Sequence, residues 1–509
     1  MKTAAVTSLA IAALTNAEIF EARQAEVATR PWKKYVTSEK LQKHVELDNL
    51  LAGSQRLQDI ADGADGHRAF GSKGHNQTVD YIVESLQALD YYDVVKQPFH
   101  ELYASATGTL SVDGKELDIN PLTYTPSGSA ADTPLVKVNN LGCEAGDFPA
   151  EVEGNIAFIS RGDCPFSQKT INAKTAGAVG AVVYNHLEGP LSGTLGDAHG
   201  DYVPVVGISN EDAQPILKAL EAGEVTASLD VDAVVEDRVT FNVIAETKGG
   251  DHDNVLVVGG HSDSVPAGPG INDDGSGIVA LIETATALSN FKVKNAVRFG
   301  FWSAEEFGLL GSYHYVKSLN SSDAELSKIR AYLNFDMIAS PNYMLGIYDG
   351  DGSAFNLTGP PGSAQIEANF EQFFRDNDSP SVPTEFSGRS DYAAFIENGI
   401  PSGGLFTGAE VLKTAEEAVL FGGEAGVPYD VNYHKAGDDI NNLNNDAYLL
   451  NTKAIADAIA TYAISWESIE PVDLTKRRWA ADRAQLFKRV GSKKHTHSGP
   501  CGGGNEDLF

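Results

Sequence analysis

The 509-residue chain is long enough for more than one domain, and 42% hydrophobic with 21% charged residues is a globular balance. Its formal charge of −32 sets up a field that repels nucleic acid and anionic membranes, so neither is an expected partner.

The chain opens MKTAAVTSLAIAALTNA, with Lys2, an apolar run from Ala4 to Leu14, and small residues at Thr15-Asn16-Ala17. That order predicts a signal peptide over residues 1–17, followed by a leader or propeptide over 18–44. No other stretch is long and apolar enough to span a bilayer. Sequons at Asn76, Asn320, Asn356 and Asn377 are candidate glycosylation sites. Cys143 and Cys164 lie close in sequence and are expected to pair in an oxidising compartment, with Cys501 left over. Secretion is the expected destination, with the vacuole as the alternative.

Residues 45–125 form the first part of the main domain. The spacing of Leu41, Val45, Leu50, Leu51 and Leu57 predicts a helix from Leu41 to Asp59, residues 76–89 a second helix, and 91–99 a strand. From 126 to 235 the pattern changes to short β-rich runs around one helix. Within it, RGDCPFSQKTINAKTAGAVGAVVYN (161–185) resembles the protease-associated (PA) domain, an insert found in several peptidase families. From 236 to 470 strands at 254–261, 295–306 and 329–338 alternate with helices at 275–290 and 308–319, and a long helix follows at 445–465. The predicted class is α/β: a mostly parallel sheet sandwiched by helices, with a smaller α/β unit inserted. The tail, 471–509, turns basic and then Gly-rich, and is expected to be partly disordered.

Open α/β sheets build sites at the carboxyl ends of their strands. The first of these strands ends at His261-Ser262-Asp263, and the loop GPGINDDGSG (268–277) follows with Asp273. The next exits into Glu305-Glu306, a third at Asp336, and a later loop, NYHKAGDD, offers Tyr433 and His434. Each fragment alone has a bland reading as a turn, a cap or a solvated charge. Together, two imidazoles and three carboxylates on one sheet edge form a natural set for two zinc ions. A phosphate-binding loop is disfavoured, since two aspartates repel phosphate and no P-loop lysine is present. A serine nucleophile lacks its Gly-x-Ser-x-Gly elbow.

The segments GGHSDSVPAGPGINDDGSG, FWSAEEFGLLGS, LNFDMI, FSGRSDYAAF, GGLFTGAE and NYHKAGD, in this order, resemble the two-zinc aminopeptidases of the M28 peptidase family. Within it they are similar to the fungal secreted leucine aminopeptidases and vacuolar aminopeptidase, which carry the same insert. The resemblance covers roughly residues 45–470. It implies two Zn2+ ions, with His261 and Asp336 on one, Glu306 and His434 on the other, and Asp273 bridging. It implies Glu305 as general base, Asp263 as the carboxylate holding the His261 ring, and Tyr433 as support for the tetrahedral intermediate. Met337, Arg389 and Phe406 match positions lining the substrate pocket. A cis peptide between Asp273 and Asp274 is also implied. Some bacterial members flank the equivalent of His434 with paired cysteines; here Asn432 and Gly437 stand nearby.

The expected activity is removal of the N-terminal residue, leucine-like or otherwise apolar, from peptides with a free N-terminus, by a monomer. Carboxypeptidase or glutaminyl cyclase action is the enzymatic alternative. A metal-free binding or receptor module is the alternative of another kind.

Overall fold

The computed structural model describes residues 33–198, 200–319 and 323–471. The predicted signal peptide, Asn320 and the predicted tail, apart from Pro471, lie outside these residues.

The strands, in chain order, are β1 (Tyr92–Val112), β2 (Lys115–Leu117), β3 (Asn120–Pro121), β4 (Gly128–Lys137), β5 (Ile156–Ser160), β6 (Gly180–Tyr184), β7 (Val205–Ile208), β8 (Thr226–Thr247), β9 (Asp251–His261), β10 (Asn295–Trp302), β11 (Ile329–Phe335), β12 (Gly346–Tyr348), β13 (Val382–Thr384) and β14 (Ser402–Phe406). They join in the order β13-β12-β14-β11-β9-β10-β8-β4-β5-β6-β7-β3, with β1 on β8 and β2 on β1. Two parallel blocks stand out. β10, β9, β11 and β14 form one, and β4, β5, β6 and β7 form the other.

The first block is buried throughout. Every residue of β11 is buried, as are the last seven of β9, which is the pattern of a parallel sheet covered on both faces. Helix Gly275–Leu288 is buried at all its residues, so it is apolar on every side and packs inside the unit. Helices Leu47–Asp62 and Asn445–Tyr462 close over it with amphipathic faces, through Leu50, Leu57, Ile455 and Ile459. The second block has its own apolar clusters, around Ile159, Phe166 and Val183 on one face and Phe158, Ile208 and Ile216 on the other.

Between them runs a two-stranded antiparallel ribbon. β1 pairs with β8 from Tyr92↔Thr247 to Val112↔Ala227 without a break. Near one end β8 also pairs with β10, and near the other with β4. This ribbon departs from the short strand expected at 91–99. Its outward positions are charged or half-exposed, so no apolar run marks its length in the sequence. A second difference is at the start. The helix expected from Leu41 to Asp59 is two helices, Ser38–Gln42 and Leu47–Asp62, turned so that Leu41 and Leu50 are both fully buried. Part of the expected leader is therefore built into the core: Val36 and Leu41 are buried, and the Val36 N–H donates to the Lys292 carbonyl.

Cys143 and Cys164 form a disulfide beside the second block. Of the sequons, Asn356 and Asn377 are exposed. Asn76 is half-buried inside helix Lys73–Gln87, and its Thr78 is fully buried with its hydroxyl on the Gly74 carbonyl, unlike the surface loop a glycan needs. Among the described residues no helix is long and apolar enough to cross a membrane.

Candidate metal centre

The carboxyl ends of β9, β10 and β11 meet at one edge of the first parallel block, where His261, the Glu305-Glu306 pair and Asp336 follow the strands. The loop before helix Gly275–Leu288 and the loop before helix Asn445–Tyr462 add Asp273 and His434. The five candidate ligands converge. His261 Nε2 lies 3.1 Å from Asp273 Oδ1 and 3.5 Å from Asp336 Oδ1. His434 Nε2 lies 3.2 Å from Asp273 Oδ2 and 3.2 Å from Glu306 Oε2. One oxygen of Asp273 thus faces each imidazole. Burial opposes a charge on His434, yet the facing Glu306 and Asp273 carboxylates overcome it and push its pKa up to about 10. A buried set of carboxylates that draws protons onto its imidazoles is a set that calls for cations, and imidazole with carboxylate is a zinc-type donor set. The residues fit a metal centre.

The supports are local and specific. The Asp273–Asp274 peptide is cis. Asp274 caps the following helix: its Oδ1 accepts from the Gly277 and Met337 N–H groups and its Oδ2 from the His261 N–H. Three carriers of the site have left-handed backbones without being glycine, namely Ala304, Met337 and His434, an uncommon geometry that clusters at functional sites. Glycine is required at 277, where a Cβ would come within 2.1 Å of the Phe335 carbonyl oxygen.

Glu305 is buried, with Oε2 3.9 Å from His261 Nε2. Burial pushes its carboxyl well above the usual range. Asp263 lies beside the His261 ring and makes a further contact. His261 Nδ1 is 3.2 Å from the Asp263 main-chain carbonyl and 3.8 Å from its carboxylate. The Asp263 carboxylate also accepts the Glu305 N–H at 3.1 Å, because β10 brings that amide to the end of β9. Asp263 thus faces the ring with both its carbonyl and its carboxylate, and the side chain also holds the backbone of Glu305.

A cavity of about 310 Å³ opens beside the centre, lined by Met337, Arg389, Phe406 and Tyr433 together with Asp273, Glu305, Glu306 and Asp336. Met344, Tyr348 and Val411 add an apolar wall, and Glu385, Glu410 and Glu417 add acid. Arg389 donates to both oxygens of Glu410, at 2.9 and 3.3 Å, and to the Tyr433 phenol at 3.1 Å.

Several supporting residues escape a sequence reading. Ser390 donates to Asp336 Oδ2 at 2.6 Å, and Asp438 accepts the N–H groups of Asn272 and Asp273. Both stand inside motifs already quoted, FSGRSDYAAF and NYHKAGDD, and proximity to candidate ligands is the signal that finds them. Arg68 has no such signal. It is fully buried and donates to the carbonyls of Ser262, Pro269 and Gly270, tying the Asp273 loop to the end of β9.

The chain is similar to known proteins. Peptidase family M28 matches residues 242–459, and the PA domain matches residues 131–216. A probable leucine aminopeptidase 2 of Aspergillus fumigatus is 54% identical, over 92% of this chain and 94% of its own length. Among solved structures, an aminopeptidase from Aneurinibacillus sp. strain AM-1 is 27% identical with a TM-score of 0.64, over 86% of this chain and 97% of its own. A zinc aminopeptidase from Bacillus subtilis is 26% identical with a TM-score of 0.58, over 84% and 95%.

Proposed function

Since this chain belongs to peptidase family M28 and carries a PA domain, we propose that it is a two-zinc aminopeptidase removing leucine-like N-terminal residues from peptides. The observation that carries this reading is Asp273, whose two oxygens face two different imidazoles, each with a further carboxylate beside it.

In this reading His261 and Asp336 hold one ion, His434 and Glu306 the other, and Asp273 both. Bound zinc supplies Lewis acidity, polarising the scissile carbonyl and lowering the pKa of water. The chain's own residues do the rest. Glu305 accepts the proton of the attacking water and returns it to the departing amine. Tyr433 accepts from Arg389 and lines the cavity, where its O–H serves as donor to the developing oxyanion. Asp263 fixes Glu305 through its amide. Met337, Phe406 and Met344 meet the first side chain with apolar surface. The acids around them suit a free α-ammonium group.

A carboxypeptidase needs a cation for the terminal carboxylate. Arg389 is the cavity's one Lys or Arg, and Glu410 occupies it, which favours the aminopeptidase. The test is a panel of aminoacyl chromogenic substrates with and without a chelator, alongside N-acetylated peptides. Leucyl substrate turned over only without chelator, and blocked peptide left intact, is the expected result. Efficient cleavage of the blocked peptide overturns it.

Localisation belongs to the same proposal. The predicted signal peptide over 1–17 and the disulfide support secretion, and the exposed Asn356 and Asn377 support glycosylation there. A culture supernatant holding the processed, glycosylated chain is the expected finding; retention in the vacuole is the competing one.

A further inference from the structure

A second cavity, of about 350 Å³, is lined by His434 of the candidate metal centre. Tyr433 and His434 are consecutive, and their rings stack with centroids 3.7 Å apart. Tyr433 lines the first cavity and His434 lines the second, so the pair stands between them. The second cavity has three further walls. Ala104 and Ala106 come from the ribbon strand β1, Val265 and Ala267 from the loop after His261, and Leu122 and Tyr124 from the segment after β3. That last segment is anchored on the inserted unit: the Leu122 N–H donates to the Val205 carbonyl of β7, and Thr123 bridges Thr194. Tyr124 is held there in a left-handed backbone, at φ +69°. Such a geometry is rare for an aromatic residue and persists where the surroundings hold it.

The two cavities differ in charge. Apart from His434, no side chain lining the second is ionisable near neutral pH: the set holds no Asp, Glu, Lys or Arg. This is notable in a chain with 70 acidic residues, and the first cavity carries seven acids and one arginine. An exopeptidase places one residue before the scissile bond and the rest of the peptide after it. The acidic cavity suits the N-terminal residue and its ammonium group. The chain beyond the scissile bond then lies past His434.

We propose that the second cavity receives the side chain that follows the scissile bond and selects peptides whose second residue is uncharged. This rests on the aminopeptidase reading and adds a role for the inserted unit, which anchors the far wall. A charged side chain entering this neutral enclosure loses hydration without meeting an opposite charge, whereas alanine or phenylalanine gains contact with Ala106, Leu122 and Val265.

The test uses the full-length enzyme loaded with zinc, and dipeptide amides in which leucine is followed by alanine, phenylalanine, aspartate or lysine. Leucinamide, with no second side chain, is the reference. The expected kcat/KM for the alanine and phenylalanine substrates exceeds that for aspartate and lysine by at least about tenfold. In Ala267→Lys, a cation at the exposed rim raises the ratio of the aspartate to the alanine substrate at least about fivefold. A ratio between substrates on one preparation is insensitive to how much of the variant folds. A flat profile across the four dipeptides, or an unchanged ratio in Ala267→Lys, overturns the assignment while leucinamide hydrolysis leaves the aminopeptidase reading standing. Loss of leucinamide hydrolysis in the wild-type enzyme removes that reading, and this inference with it.

Discussion

The two parallel blocks of this molecule share one architecture and do different things with it. Both stack parallel strands between helices, and both bury their inner strands, β9 and β11 in one and β5 and β6 in the other. At the carboxyl ends of β9, β10 and β11 the chain places buried acids and imidazole, with Asp263 accepting the Glu305 amide and Asp336 the Ser390 hydroxyl. The block of β4 to β7 has no His, Asp or Glu cluster at ligand distance among the described residues. Its buried cation, Lys169, instead donates to the carbonyls of Leu141 and Gly162, near the disulfide. The lesson is that α/β layering supplies an edge, and strand-end residues decide whether the edge is a reaction site or a structural joint.

That contrast can be broken at four points. Removing metal should have the largest effect. Dialysis against a chelator is expected to bring leucinamide hydrolysis to background, and zinc to restore it. Activity that survives would detach chemistry from the acid cluster. Next comes Glu305→Gln, expected to lower kcat by about 10²–10⁴-fold, the usual range for a general base. Zinc content measured on the same sample should stay at the wild-type level. Ser390→Ala is expected to be milder. It removes the hydrogen bond on Asp336 and should weaken zinc affinity about 10–100-fold, read by competition with a chromophoric chelator. The smallest effect on catalysis is expected in the other block. Cys143→Ser with Cys164→Ser opens a crosslink of sequence separation 21 and should cost about 3 kcal/mol of stability. Leucinamide turnover at 25 °C should remain within about twofold; a loss of zinc in this variant would show that the blocks are not separable.

Much of the first block is legible in the sequence because its physics is local. Continuous apolar strands such as those ending at His261 and Phe335 announce burial on both faces, and each is followed by the residue that functions. The ligand set is legible for the same reason: it hangs from strand ends that can be found. The supports are less so. Arg68 reaches loops about 200 residues away, and nothing in its neighbourhood marks it as buried. Asp263 is legible as a supporting carboxylate but not in its contact with the Glu305 amide, since that contact depends on how β10 is registered against β9. The length of β1 and β8 escapes notice because ribbon strands facing solvent alternate weakly.

The ribbon has a mechanical consequence. At 21 residues β1 spans about 70 Å, and its pairing with β8 is continuous from one block to the other. The inserted unit is therefore a cantilever rather than a weight on a string. A beam of paired strands flexes and twists, but it offers no pivot. The aperture between the PA unit and the metal edge should vary smoothly with temperature and load, like a spring, and not snap between two settings like a door.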